Sequence, residues 1–139
     1  MNQVFVFGTL KEGFPNYKVN KGNRLKGSFF TKNKYPLYLI GERFSPWLVL
    51  AEGSGHHVKG QVFTVDDEVL AEMDKLERIT EFDGYKRIEL DVVSEVSGET
   101  LLVIAYGKPV GQLDNVDIQL ELDGEYKLEH SSLYLGRTP

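Results

Sequence analysis

The chain contains no cysteine, which excludes disulfides, thiolate nucleophiles and cysteine-ligated zinc. Histidine is scarce as well: there are three, and two of them, His56 and His57, are neighbours that a strand would turn to opposite faces. No metal site is expected. No apolar run approaches the roughly 20 residues that span a bilayer, so no membrane insertion is expected. Met1 to Phe7 also lack the basic start and small-residue cleavage site of a secretory signal, which makes a cytoplasmic location the expectation. Basic charge is in short supply, with 16 Lys and Arg against 21 Asp and Glu for a net charge of −5. That balance argues against nucleic-acid binding, whose affinity comes largely from basic groups that neutralise phosphates. The glycine spacings of the P-loop and of dinucleotide folds are missing. Ser54, between Gly53 and Gly55, lacks the spacing of a nucleophile elbow and reads as a turn.

What basic charge there is lies unevenly. Residues 1–34 hold seven basic side chains (Lys11, Lys18, Lys21, Arg24, Lys26, Lys32 and Lys34) against Glu12 alone. A solvated basic loop accounts for this, with a specific anion site as the alternative. A length of 139 residues with 41% hydrophobic and 27% charged residues suits a single domain spanning 1–139.

Gln3 to Phe7 is β-branched and aromatic and stops at Gly8-Thr9, which predicts a buried first strand ending in a turn. Further short apolar stretches follow at Ser28 to Thr31, Leu37 to Ile40, Trp47 to Ala51 and Gly60 to Val65, as strands of one sheet or barrel. Gly53-Ser54-Gly55 predicts a hairpin between the last two. One amphipathic helix then follows, capped by Asp66 or Asp67, with Val69, Leu70, Met73 and Leu76 on its apolar face. From Lys86 to Val93 the apolar Ile88, Leu90 and Val92 alternate with charged residues. After a turn at Ser97-Gly98, Thr100 to Tyr106 completes an antiparallel pair. Residues 107–139 carry only weak signals.

One charged residue breaks the helical pattern. With Val69 at 0° and about 100° per residue, Met73 falls near 40°, Leu70 near 100° and Glu77 near 80°. A carboxylate therefore sits inside the apolar stripe, where desolvation and the helix C-terminal dipole both disfavour its charged form. Such a group can accept and return protons near neutral pH. The alternative is that the helix frays first, leaving Glu77 in solvent or paired with Arg78 or Arg87.

A second candidate is Phe7-Gly8-Thr9-Leu10, where a strand end can leave backbone N–H groups aimed into a cleft, ready for an oxyanion or a carboxylate. A simple turn is the alternative. Pro46 with Trp47, and the run Tyr35 to Ile40, suit either a pocket wall or the core. Tyr85 and Tyr106 suit partly buried walls.

Val4-Phe5-Val6-Phe7-Gly8-Thr9-Leu10-Lys11, with Gly13, Pro15 and Asn16, resembles the opening of the γ-glutamylcyclotransferase-like family, in particular its γ-glutamylamine cyclotransferase branch. Tyr35-Pro36-Leu37, Gly41-Glu42, Pro46-Trp47-Leu48, Gly53-Ser54-Gly55, Val58 and Gly60 to Asp66 resemble that branch in the same order. The segments Met73 to Glu77 and Tyr85-Lys86-Arg87 match the family's catalytic glutamate and the Tyr-x-Arg that follows it.

The resemblance implies an α+β fold with a compact mixed β-barrel core and one main helix. It also implies a catalytic Glu77 and substrate held by the backbone of Phe7, Gly8, Thr9 and Leu10. The implied reaction releases 5-oxoproline and a free amine from γ-glutamylamines such as γ-glutamyl-ε-lysine, as a lyase or acyltransferase-type cyclisation without cofactor or metal. A small-molecule γ-glutamyl substrate is the only partner expected, and the chain is expected to be a monomer. Three departures stand out: Phe7 replaces a tyrosine, Arg78 replaces a frequent glycine, and the stretch from Glu77 to Tyr85 is long and brings in Glu81 as a second candidate. The tail beyond Tyr106 departs most, and its loops are expected to choose the leaving amine. Alternatives are a cyclotransferase for another γ-glutamyl amino acid or metabolite, and a non-catalytic binding module on the same fold.

Overall fold

The computed structural model describes residues 1–136. In chain order the early strands are β1 (Asn2–Val6), β2 (Asn23–Arg24), β3 (Phe29–Tyr35), β4 (Leu37–Ile40), β5 (Ser45–Leu48) and β6 (His56–Val65). Helix α1 (Asp67–Leu76) follows, then β7 (Lys86–Ser94), β8 (Thr100–Gly107), β9 (Ile118–Leu122) and the single turn α2 (Leu128–Ser131).

The unbroken apolar run at the start has a physical reason, because β1 is covered on both faces. Phe5 and Phe7 pack into one core with Phe29, Val62, Val92 and Val103. Val4 and Val6 pack into another with Val69, Leu70 and Met73 of α1, as the twofold alternation of a strand requires. Burying those three helical side chains contributes about 1.5–3 kcal/mol each. β1 pairs in parallel with β8, while β8–β7, β7–β3, β3–β6 and β6–β1 are antiparallel, so these five strands close into a barrel and β2 lies along β6. Gly60 permits the closure: a Cβ there would lie 2.4 Å from the Val6 carbonyl oxygen and 2.7 Å from the Phe5 ring.

A second sheet, in the order β5-β4-β9, adds Leu37, Leu39, Leu48 and Leu122 to the barrel core. Pro46 is tolerated in β5 because β5 is an edge strand of that sheet. The expected antiparallel pair of Lys86 to Val93 with Thr100 to Tyr106 is present as β7 and β8. The expected hairpin at Gly53-Ser54-Gly55 is not. β5 pairs with β4, and β6 pairs with β1, β2 and β3, so this turn carries the chain from one sheet to the other. Among the described residues no helix is long and apolar enough to cross a membrane.

Candidate active-site cleft

Asp66 begins α1 by accepting a hydrogen bond from the Val69 N–H at 2.8 Å, as an N-cap should. The other end decides where Glu77 points. Ile79 N–H donates to the Asp74 carbonyl (3.3 Å) and Arg78 N–H to that of Lys75 (3.2 Å), a Schellman closure, with Arg78 at φ 55°. Glu77 keeps helical dihedrals at the C-cap, and its N–H bonds the Met73 carbonyl at 2.9 Å. The helix therefore does not fray before Glu77, and the half-buried carboxylate faces a cleft. The two arginines weighed as its partners hold other carboxylates: Arg78 pairs with Asp83 at 3.1 Å and Arg87 with Asp74 at 2.6 Å.

The positive φ of Arg78 falls where the family's frequent glycine would stand, which explains that departure: the backbone needs the left-handed region and arginine adopts it under strain. The long stretch to Tyr85 folds back on itself. Tyr85 N–H donates to the Glu77 carbonyl at 3.0 Å, bringing Tyr85 back beside the glutamate. Glu81 is exposed and does not line the cleft.

The cleft has a volume of about 310 Å³ and brings together all five residues singled out in the sequence: Phe7, Gly8, Thr9, Leu10 and Glu77. Beyond β1 the chain is held by Lys11 N–H to the Gly8 carbonyl (3.1 Å) and by Asn16, whose N–H meets the Thr9 carbonyl and whose amide meets the Thr9 hydroxyl, both at 2.8 Å. Among the described residues no hydrogen bond is donated by the backbone N–H of Thr9 or Leu10. Two backbone donors without an internal acceptor at a buried strand end, with a carboxylate in the same cleft, suit an anionic oxygen and a proton acceptor.

Tyr85 and Tyr106 form part of the wall. The Tyr85 hydroxyl donates to the Pro46 carbonyl at 2.7 Å, and that of Tyr106 to Asp74 at 2.6 Å. Burial first, then the Asp74 carboxylate, push the Tyr106 hydroxyl well above the usual tyrosine range, so it stays a neutral donor. The Glu77 charge pushes the same way. Lys11, which follows Leu10 in the chain, is buried, its ammonium donating to the Tyr126 carbonyl and lying 4.3 Å from the centre of the Phe14 ring. Burial lowers its pKa from 10.5 to about 8, against the opposing pull of Glu125.

The weakly patterned tail supplies wall as well. Leu135 N–H donates to the Arg43 carbonyl at 3.0 Å, and Tyr134 lines the cleft with its hydroxyl 3.3 Å from the Asn16 amide. Residues 137–139 of that tail lie outside the described residues. Arg43, Ser45, Lys18 and Tyr134 also line the cleft and had not been singled out. Only Lys18 had figured in the sequence, as part of the basic N-terminal segment. Pro46 lines the cleft, whereas Tyr35, Leu37 and Leu39 belong to the core. His56 and His57 are exposed at the start of β6, where His57 Nδ1 bonds the Thr31 carbonyl at 2.9 Å.

Comparison with known proteins adds an independent line. The gamma-glutamylaminecyclotransferase of Mus musculus is 36% identical over 97 residues, covering 66% of this chain and 64% of the relative. The Homo sapiens protein of that name is 40% identical over 82 residues, 55% of this chain and 54% of the relative. The matched part thus spans less than two thirds of these relatives' lengths. The crystal structure of an AIG2-like protein from Mus musculus superposes with a TM-score of 0.74 at 27% identity, over 100% of this chain and 98% of that one. The model of the gamma-glutamyl cyclotransferase, AIG2-like family matches residues 4–128, from β1 through the cleft walls to the start of α2, and the chain belongs to that family.

Proposed function

We propose that this protein is a γ-glutamylamine cyclotransferase that converts a γ-glutamylamine into 5-oxoproline and the free amine. The observation that carries this reading is the Glu77 carboxylate, held at a helix C-cap, in one cleft with the backbone donors of Thr9 and Leu10. The family membership and the name of the mouse and human relatives support the same substrate class.

Glu77 takes a proton from the substrate's α-ammonium group and so frees the nitrogen lone pair. That nitrogen attacks the substrate's own γ-carbonyl carbon, forming the new C–N bond of a five-membered ring. The oxyanion that develops accepts hydrogen bonds from the Thr9 and Leu10 N–H groups. The amide nitrogen of the departing amine takes that proton from Glu77, and Glu77 then accepts the second proton that the ring nitrogen must lose to become a neutral lactam. Collapse breaks the bond to the departing amine, which takes this second proton from Glu77 and leaves as its ammonium ion. No electrons change hands, so the cyclisation calls for no redox cofactor. Folding the substrate into an attacking conformation is worth about 7–11 kcal/mol in well-oriented intramolecular reactions, which makes shaping the substrate the larger part of the task. A neutral Tyr106 and the Tyr85–Pro46 bond keep the wall in place for this.

The test is 5-oxoproline release, followed chromatographically, from γ-glutamyl-ε-lysine, simple γ-glutamylalkylamines and γ-glutamyl-α-amino acids. Turnover of the first two classes supports the proposal. Turnover restricted to γ-glutamyl-α-amino acids moves the protein to a different cyclotransferase substrate, and silence throughout favours a binding module on this fold.

A further inference from the structure

A second cleft, of about 680 Å³, opens beside the first and shares Arg43, Ser45 and Tyr85 with it. We propose that this second cleft is the subsite for the departing amine, and that Arg43, on the boundary, selects amines that bear their own carboxylate. The inference rests on the cyclotransferase reading above and names the part of the substrate that the reading leaves open.

Size is the first ground. The cleft that holds Glu77 is at the lower end of ligand pockets, which run from about 300 to 1,000 Å³. It suits a γ-glutamyl group, and an amine that extends past the shared Arg43, Ser45 and Tyr85 enters the second cleft. The chemistry of the second cleft is the next ground. Ile40, Trp47 and Val116 offer apolar wall for a methylene chain, while charges of both signs lie around them.

Four charged residues line this cleft, Glu42, Arg43, Asp83 and Lys108, and two of them are engaged. Asp83 is paired with Arg78 at 3.1 Å. The Lys108 ammonium donates to the Asp83 carbonyl at 2.6 Å and to Gln112 Oε1 at 3.1 Å, and lies 4.3 Å from the centre of the Trp47 ring and 4.5 Å from that of Tyr85. Arg43 is different. Its backbone is fixed, by the Gly41–Phe44 turn bond of 3.2 Å, by the Leu135 N–H on its carbonyl and by Phe44 at φ 52°. Yet among the described residues its half-buried guanidinium takes part in no ion pair or hydrogen bond. A planar five-donor head on a held backbone is suited to a bidentate carboxylate. The γ-glutamyl group's own α-carboxylate has Lys18 within the first cleft, which leaves Arg43 at the boundary for a carboxylate of the amine.

The test uses a matched pair, γ-glutamyl-ε-lysine and γ-glutamylcadaverine, whose amines differ only in the carboxylate. The quantity read is the ratio of kcat/KM for the first over the second, in wild type, Arg43→Gln and Arg43→Lys. A charge-assisted hydrogen bond lost to Arg43→Gln lowers that ratio by about tenfold or more, and Arg43→Lys keeps part of it. A ratio that Arg43→Gln leaves unchanged overturns the assignment, whether both rates fall together or neither does. Binding gives a readout free of turnover, because Trp47 is the chain's single tryptophan and lines the second cleft. Free lysine should change its fluorescence saturably, cadaverine far less, and Arg43→Gln should abolish the difference. Turnover without that lysine signal and with an unmoved ratio refutes the subsite while sparing the cyclotransferase. A lysine signal that depends on Arg43 in a protein that makes no 5-oxoproline supports the subsite and refutes the reaction.

Discussion

Replacing Gly8 by alanine drives a methyl group into Pro46, and the geometry sets the size of the effect. A Cβ at Gly8 would lie 2.8 Å from Pro46 Cγ, where ordinary contacts begin at 3.4 Å, so the two must part by 3.4 − 2.8 = 0.6 Å or more. Pro46 is poorly placed to yield: its ring is rigid, its residue is registered against Leu39 in β4, and its carbonyl holds the Tyr85 hydroxyl at 2.7 Å. The movement therefore falls largely on the segment that carries Thr9 and Leu10, away from the position their N–H groups need. Overpacking of this kind costs about 1–3 kcal/mol of stability. Misplacing a substrate-holding group by about 1 Å costs on the order of a hundredfold in rate, so Gly8→Ala should lower kcat/KM by about ten- to a hundredfold. The assay is 5-oxoproline release under initial-rate conditions, with urea denaturation alongside. A Gly8→Ala protein with wild-type kcat/KM would refute the claim that this backbone segment is positioned for chemistry.

The backbone at Arg78 and the burial of Lys11 each bear on stability. Arg78→Gly removes a left-handed strain of about 1–2 kcal/mol and loses a partly exposed ion pair worth about 0–1 kcal/mol. The urea midpoint should therefore rise, and a fall would mean that the pair with Asp83 outweighs the backbone. Lys11 has its pKa lowered to about 8 when folded, against 10.5 unfolded. Between those values the unfolded chain binds the extra proton, so Lys11 makes stability increase as pH rises from about 8 toward 10.5, with a slope of up to about 1.4 kcal/mol per pH unit. Below about 8 both states are protonated and the slope vanishes. Urea titrations of wild type and Lys11→Met across that window should diverge in slope, and parallel curves would show that Lys11 is not held in the dry site described.

How much of this was legible in the sequence depended on whether the signal was local. The alternation from Lys86 to Val93 gave β7 because one face of that strand is core and the other solvent. The phase of Glu77 within the apolar stripe gave its direction, since ten residues of regular helix carry that phase to the cap. The closing turn was not legible: a left-handed residue is announced by glycine, and here it is Arg78. Apolar runs marked strands without naming their partners, which is why the Gly53-Ser54-Gly55 hairpin was wrong. β9 left no pattern because four of its five side chains are exposed. Arg43 and Tyr134 meet at the cleft across more than half the chain, and no local spacing encodes that meeting.

The central claim is that Glu77 moves the protons, and Glu77→Gln tests it most directly because the amide keeps the shape and loses the basicity. The measurement is kcat for 5-oxoproline release, with KM and the thermal midpoint followed in parallel. The expected result is a fall in kcat of about 10²–10⁴-fold, the usual share of a general base, with a folded protein that still binds substrate. Undiminished kcat in that variant would contradict the role assigned to Glu77.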